Sequence, residues 1–460
     1  MRIVFFSTNS NNYAGDETSL RQFPSNTDRL CRLRQYLGDD TFSVATALPG
    51  SFLRDTRGSS FFTPPCDGNQ NQDENQAEFR DLSGMDSQQA AETIAALNPD
   101  FAIAVSAWVT PFDWLGLMDA MTADILLEKG IPVLCSSAET QMLCFDKNLT
   151  HKFLTENSFP CPSAIYVHHE LFWSERGRKE IARNVYRDYI FSKVSGMEFP
   201  VVIKDTVGLS SYGMEVAVSY KETLHYLKMG RTKSDRMVEK YINGLHFGAE
   251  IYGTPGNYFV TDPFIFSLNR FGITSPKLSV KIGPVSCGQS DRFRIPELKI
   301  LLESLAEKLQ IQGCAQVDLV FDGEKWFVIE INPRLSGLTE SYCIAYGKDI
   351  LQTLADCAMK KDPGLEEKGK VCCMKIPLQE ESELEKISRL PNIRHLKQIF
   401  YSGAKQEREK GYCEIIFGPA PDYDTLLKML DEIKTARPDI IEDIPQEGFR
   451  HLLCKLKTEK

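Results

Sequence analysis

Gln316 to Arg334 reads Gln-Val-Asp-Leu-Val-Phe-Asp-Gly-Glu-Lys-Trp-Phe-Val-Ile-Glu-Ile-Asn-Pro-Arg, two apolar strand segments around an Asp322-Gly323 turn. A core hairpin alternates buried and solvent-facing residues. Here Asp318, Glu330 and Asn332 gather at one end, followed at once by Arg334. One carboxylate at a strand end is an ordinary solvent-facing residue, whereas two carboxylates, an amide and an arginine framing one hairpin have the make-up of a site. Hard divalent cations take such oxygen ligands, with phosphate oxygens completing the shell. Alternation sets a condition on this reading. A strict two-residue Asp322-Gly323 turn pairs Phe321 with Glu324 and Asp318 with Phe327, and it turns Glu330 away from Asp318. Shared metal binding therefore requires an odd loop, a bulge or a strong twist.

The chain of 460 residues is too long for one ordinary core and suggests two to four domains. A net charge of -10 argues against a general nucleic-acid binder, although a nucleotide pocket needs only a few local cations. The apolar run Met1 to Phe6 is too short for a signal peptide, and no stretch of ~20 apolar residues is present to span a membrane. Thirteen scattered cysteines without a CxxC pair read as reduced thiols, mostly buried, in a cytoplasmic protein. Cys372-Cys373 are expected on opposite faces of a strand, one in the core and one at the surface. His168-His169 lack partners at metal-ligand spacing.

Strands are expected at Arg2–Phe6, Ser43–Leu48, Asp100–Val105 and Ile131–Cys135, alternating with helices at Asp28–Leu37, Gln88–Leu97 and Asp113–Lys129. That alternation predicts a doubly wound parallel α/β sheet. Pro64 to Ser83 is a polar loop, and no GxGxxG follows the first strand. After Ser163 the pattern becomes α+β. Strands are expected at Phe199–Lys204, Asp235–Tyr241, Phe247–Tyr252 and Gly256–Asp262, besides the hairpin. Helices follow at Glu297–Leu309 and Asp349–Met359. The segment 360–364 reads as a linker. A smaller α+β unit follows, with a strand at Gly411–Phe417 and a helix at Tyr423–Ile433.

A second chemical feature is Val201 to Met214, where Lys204 closes an apolar strand and faces a loop containing Gly208, Ser210, Ser211 and Gly213. Backbone N–H groups, hydroxyls and an ammonium in this arrangement suit phosphates. Downstream, Glu239-Lys240-Tyr241-Ile242 ends a strand where a side-chain acceptor and adjacent backbone can meet an adenine edge. Lys147 opens a helix after Asp146 and offers a second cation.

The order Lys147, Lys204 with its Gly/Ser loop, Glu239, then Asp318, Glu330, Asn332 and Arg334 resembles the ATP-grasp superfamily of carboxylate ligases, in its biotin-carboxylase-like and amino-acid-ligase branch. The resemblance covers Asp146 to Tyr342 and implies three units. These are an N-terminal doubly wound parallel α/β domain over 1–140, an ATP-grasp domain over 141–360 with a lid subdomain at about 165–240, and a C-terminal α+β domain over 361–460.

It also implies that Lys147, Lys204 and the loop residues Gly208, Ser210, Ser211 and Gly213 hold ATP phosphates, and that Glu239, Lys240, Tyr241 and Ile242 line the adenine. His246 would lie by the ribose, where many members use a glutamate. Asp318, Glu330 and Asn332 would hold Mg²⁺, with Mn²⁺ as an alternative. Arg334 would hold the carboxylate or its acyl phosphate, with Lys204, Arg270 and Lys281 as further contacts to the reacting anions. The Gly/Ser loop would act as a lid that keeps water from the intermediate.

Leu335-Ser336-Gly337-Leu338 lacks the glutamate that biotin carboxylases carry there, and Met374-Lys375 lacks the context of a biotinylation site. A carboxylate–amine ligase joining small molecules, amino acids above all, is therefore the expected activity. Transfer to a carrier-protein thiol, a carboxylase and a non-enzymatic nucleotide-binding module are the alternatives. Neither nucleic acid nor membrane is expected as a partner, and a homodimer is compatible with the reading.

Overall fold

The computed structural model describes residues 1–8, 21–23, 26–38, 40–47, 78–106, 115–176, 178, 180–207, 214–229, 233–269, 272–274, 278–286, 292–400, 411–440 and 443–457. Its first layer draws on β1 (Arg2–Ser7), β3 (Thr41–Thr46), β4 (Glu78–Asp81), β5 (Phe101–Ala104) and β6 (Val133–Leu134), while the short β2 (Arg21–Phe23) leaves to join another sheet. The five strands are parallel, in the order β4-β3-β1-β5-β6. A parallel sheet is covered on both faces, which explains the unbroken run Ile3-Val4-Phe5-Phe6. Ile3 and Phe5 pack with Leu30, Leu33 and Leu37 of helix Asn26–Leu37. Val4 and Phe6 pack with Ala90 and Ile94 of helix Ser87–Ala95 and with Ala123 and Leu126 of helix Leu115–Glu128. The expected polar loop Pro64 to Ser83 lies partly outside the described residues, and its later part forms β4 instead.

The second sheet is antiparallel. It contains β7 (Ala164–Val167), β8 (Val201–Asp205), β9 (Glu215–Ala217) and β10 (Arg236–Lys240), in the order β7-β10-β8-β9. Val201, Ile203 and Val238 bury one of its faces against Ile190 and Val194 of helix Val185–Ser195 and Leu227 of helix Tyr220–Lys228.

The third sheet contains β11 (Leu245–Thr254), β12 (Asn257–Val260), β13 (Phe264–Phe266), β14 (Val280–Gly283), β15 (Gly313–Phe321), β16 (Trp326–Asn332), β17 (Lys370–Ile376), β18 (Ile393–Phe400) and β19 (Gly411–Ala420). Its order is β16-β15-β11-β13-β14-β17-β19-β18-β2, with β12 beside β11. The C-terminal strands thus extend the sheet that carries the hairpin. One face packs on helix Ile295–Leu309 through Leu298, Leu302, Leu305 and Leu309, and on helices Tyr423–Ala436 and Asp443–Lys457. Part of the other face lies under helix Thr339–Tyr346. This double cover corrects the expectation for Cys372 and Cys373. They do point to opposite faces, but both are buried, one in each core.

Candidate functional site

The hairpin satisfies its geometric condition through a bulge. Phe321 pairs with Trp326, so the connection is the four residues 322–325 and not a two-residue turn. Asp322 shapes it by accepting the backbone N–H groups of Glu324 (2.9 Å) and Lys325 (2.8 Å). Gly323 takes the left-handed φ of +104° that the turn requires. An even loop in strict register would place Ile329 opposite Asp318. The register shifts between Asp318 and Leu319, however, with Leu319 opposite Val328 and Asp318 opposite Glu330. Ile329 is the extra residue, and it swings Glu330 onto the face of Asp318.

Two polar rungs result. Gly248 of β11, Asp318 and Glu330 form one; Glu250, Gln316 and Asn332 form the next. Gln316 links them, with its Nε2 donating to Asp318 Oδ1 (2.6 Å) and its Oε1 accepting from Asn332 Nδ2 (3.0 Å). Gly248 has a steric reason to lack a side chain. A Cβ there would lie 2.4 Å from Phe266 Cζ and 2.8 Å from Leu338 Cδ1. Burial, and then the facing charge of Glu330, push the Asp318 carboxyl up to about 6. Like charges on one rung repel, and a cation between them would remove that cost.

Cations surround the pair. Lys147 Nζ stands 3.7 Å from Glu330 Oε1. Its helix is set by Asp146, which caps the backbone N–H groups of Asn148 and Leu149, while the Lys147 N–H donates to Thr206 O. The Arg334 guanidinium donates to Asn332 Oδ1 (3.2 Å) and to Leu335 O (3.2 Å). Gln141 fixes the strand exit by donating to Pro333 O at 2.7 Å. Lys281 of β14 donates to Gly337 O (3.3 Å) and lies over the Phe266 ring. It is near enough for its charge to favour ionisation of Asp318.

On the second sheet, Lys204 and Glu239 form a buried ion pair at 2.8 Å, with only 4% and 6% of each residue exposed. The neighbouring Lys240 instead sends its side chain outward to Glu198. The backbone N–H groups of Lys240 and Tyr241 continue the ladder, donating to Ser163 O and Pro200 O. Ile242 follows directly, and the Tyr241 hydroxyl reaches Gly272 O at 3.4 Å. His246 shares the face of the carboxylate rungs, opposite Val320. Burial holds its imidazole at about 4, and its Nε2 is buried without a hydrogen-bond partner among the described residues. Gly208, Ser210, Ser211, Gly213 and Arg270 lie outside the described residues.

Two members of the site went unselected in the sequence. Gln316 could have been found by alternation, two residues before Asp318. Glu250 is a carboxylate inside the apolar run Phe247 to Tyr252, and it is fully buried. It accepts from Ser336 Oγ (2.6 Å) and Thr339 Oγ1 (2.7 Å), and from the Tyr252 hydroxyl. Glu250 thereby clamps the loop that follows Arg334. Glu250→Ala leaves three hydroxyls, those of Tyr252 and Thr339 buried, without their acceptor and should cost about 3 kcal/mol of stability, whereas Glu250→Gln keeps an acceptor and should cost about 1 kcal/mol. Urea unfolding of the two variants reads this difference directly.

Residues 144–338 match the ATP-grasp domain family. The solved L-amino acid ligase from Bacillus licheniformis aligns over 95% of this chain and 97% of its own, with a TM-score of 0.60 at 14% identity. N5-carboxyaminoimidazole ribonucleotide synthetase from Thermotoga maritima aligns over 95% and 98%, with a TM-score of 0.58 at 15% identity. At such identities the likeness is one of fold. Among curated sequences, a D-alanine–D-alanine ligase of Buchnera aphidicola is 26% identical over 35% of this chain and 52% of its own. A carbamoyl-phosphate synthase of Methanobrevibacter smithii is 24% identical over 48% of this chain and 55% of its own. The chain thus spans about half the length of these two relatives. Residues 144–338 thus match an ATP-grasp domain, and the solved structures share the fold of the chain.

Proposed function

We propose that this protein is an ATP-dependent ligase that activates a carboxylate as an acyl phosphate and couples it to an amine, with an amino acid among the substrates. The observation that carries the reading is the bulge at Ile329. A bulge disrupts the ladder, and here it turns Glu330 toward Asp318 beneath Lys147, an arrangement that repels itself until a cation enters. The donor set of Asp318, Glu330 and the Asn332 amide oxygen fits Mg²⁺, which would bridge nucleotide phosphates and offset the charge of an incoming carboxylate.

In this reading Lys147 and Lys204 hold the phosphates, and Glu239 keeps the buried Lys204 ammonium in place. Glu239 with the backbone of Lys240 to Ile242 lines the adenine, and the Nε2 of the neutral His246, without a hydrogen-bond partner among the described residues, takes a ribose hydroxyl. Arg334 orients the acid by a forked contact, and Lys281 adds charge from the other side. The chain itself supplies position and field, which phosphoryl transfer needs more than covalent catalysis. The Gly/Ser loop 208–213 and Arg270 are assigned to the phosphates and the acid on sequence alone. We also take 1–140, 141–360 and 361–460 as its functional units.

Hydroxylamine tests the reading because it traps acyl phosphates as hydroxamates whatever the natural amine. The expected result is hydroxamate formation that requires ATP, Mg²⁺ and one acid from an amino-acid panel, matched by ADP. ADP release without hydroxamate from any acid would contradict it.

A further inference from the structure

The face of the large sheet that carries Asp318 continues beyond Lys281 into a second polar region that the ATP reading does not use. Phe266 of β13 lies opposite Lys281 of β14, and Lys281 lies opposite Cys373 of β17. Two residues along β17, Lys375 lies opposite Glu414 of β19, and Glu414 is also opposite Lys397 of β18. His395, two residues from Lys397, lies opposite Ile416. Since Gly248 pairs with both Asp318 and Phe264, alternation puts Lys281, Lys375, Glu414, Lys397 and His395 on the face of the carboxylate rungs.

Two features indicate that this region is built for a ligand. First, His395 is 1% exposed, and neither ring nitrogen has a hydrogen-bond partner among the described residues. Its Nδ1 is 4.0 Å from Glu340 Oε2, and Glu340 is already paired with Arg29. Buried polar groups are normally satisfied, and an orphan of this kind calls for a partner beyond the described residues. Second, cations gather here. Three ammonium groups, those of Lys281, Lys375 and Lys397, share this face with the Glu414 carboxylate, and the Glu340 carboxylate acts on Lys397 from the covering helix. Burial, and then the charge of Lys281, push Lys375 down to about 8, as expected of a cation held near its own kind. Lys375 also stacks over the Tyr412 ring. Adjacent strands stand ~4.8 Å apart and alternate residues ~6.7 Å, so long side chains from Lys281 and Lys375 converge on one small anion.

We propose that Lys281, Lys375, Lys397 and His395 bind a second anionic group, carboxylate or phosphate, on the acid that the ATP site activates. The substrate class is then an acid with at least two anionic groups. Lys281 lies between the two regions, its charge felt by both Asp318 and Lys375. This assignment rests on the ligase reading for the word substrate, but the anion site can be tested apart from it.

The test labels lysines of the full chain with acetic anhydride and follows each by mass spectrometry. Acetate serves as the single-anion probe, succinate as the dicarboxylate, and phosphoglycolate as carboxylate plus phosphate. Succinate or phosphoglycolate should slow acylation of Lys375 and Lys397 by about tenfold, and acetate should not. The better protector identifies the second group. Lys397→Met, which keeps the apolar stem, should remove the protection at Lys375, with retained ADP binding as the control for folding. In the hydroxamate assay, diacids should exceed matched monoacids in kcat/KM by about tenfold. Equal labelling with all three probes, or equal turnover of diacids and monoacids, would overturn the proposal. Protection without hydroxamate from any acid would support the anion site and reject the ligase.

Discussion

Glu330→Ala is expected to cut ADP formation by about a thousandfold while the protein stays folded, the scale of loss when a group that fixes transition-state charge is removed. Glu330 sits on a half-open strand end, with no apolar packing role, so its loss should leave the melting temperature within a few degrees. Lys147 would lose its carboxylate partner as well. Glu330→Gln separates the two effects, because it keeps the shape and removes the charge, and it should be nearly as inactive. ADP release at the wild-type rate in either variant would reject the catalytic role of the bulged rung.

Asp318→Asn is expected to stabilise the metal-free protein above neutral pH while abolishing turnover. The sign follows from the carboxyl, which burial and Glu330 hold at about 6, well above the ordinary range. A group raised in this way contributes stability that is fully present below about pH 4 and lost as pH rises through about 6. At pH 8 the ionised pair is a net cost on the order of 1–3 kcal/mol, which asparagine removes. Asparagine also keeps an oxygen to accept from Gln316. Calorimetry with a chelator should show the variant melting higher than wild type at pH 8 and alongside it at pH 4. Mg²⁺ with ADP should then raise wild type and leave the variant unmoved. A variant that melts below wild type at pH 8 would mean that the pair is not strained in the absence of metal.

The strand and helix alternation of residues 1–140 and the apolar stripe Leu302, Leu305 and Leu309 were legible because periodicity is a local property. The order of Lys147, Lys204, Glu239 and the hairpin was legible as well, because it rests on residue types, and the structure brings Lys147 to Glu330 and Lys204 to Glu239. The bulge was legible only as a condition. Alternation showed that Asp318 and Glu330 could not share a face in strict register, yet nothing local marks Ile329 as the residue that slips. Glu250 escaped notice because its partners, Ser336 and Thr339, are more than 80 residues away. For the same reason the row of Lys281, Lys375 and Lys397 could not be seen in the sequence. Strands from opposite sides of the expected boundary at 360 are neighbours in one sheet, and only pairing of β14 with β17 brings them together. One of Cys372 and Cys373 read as a surface residue because alternation cannot reveal that helix Thr339–Tyr346 covers the face of Cys373.

Oxygen transfer from the acid tests the central claim most directly. If the carboxylate attacks the γ-phosphate, its oxygen becomes the bridge of the acyl phosphate. The amine then attacks the carbonyl carbon, the C–O bond breaks, and that oxygen leaves with phosphate. An acid labelled with ¹⁸O in both carboxyl oxygens should therefore yield inorganic phosphate carrying one ¹⁸O, in step with ADP. Label in AMP with release of pyrophosphate, or phosphate without label, would contradict the account.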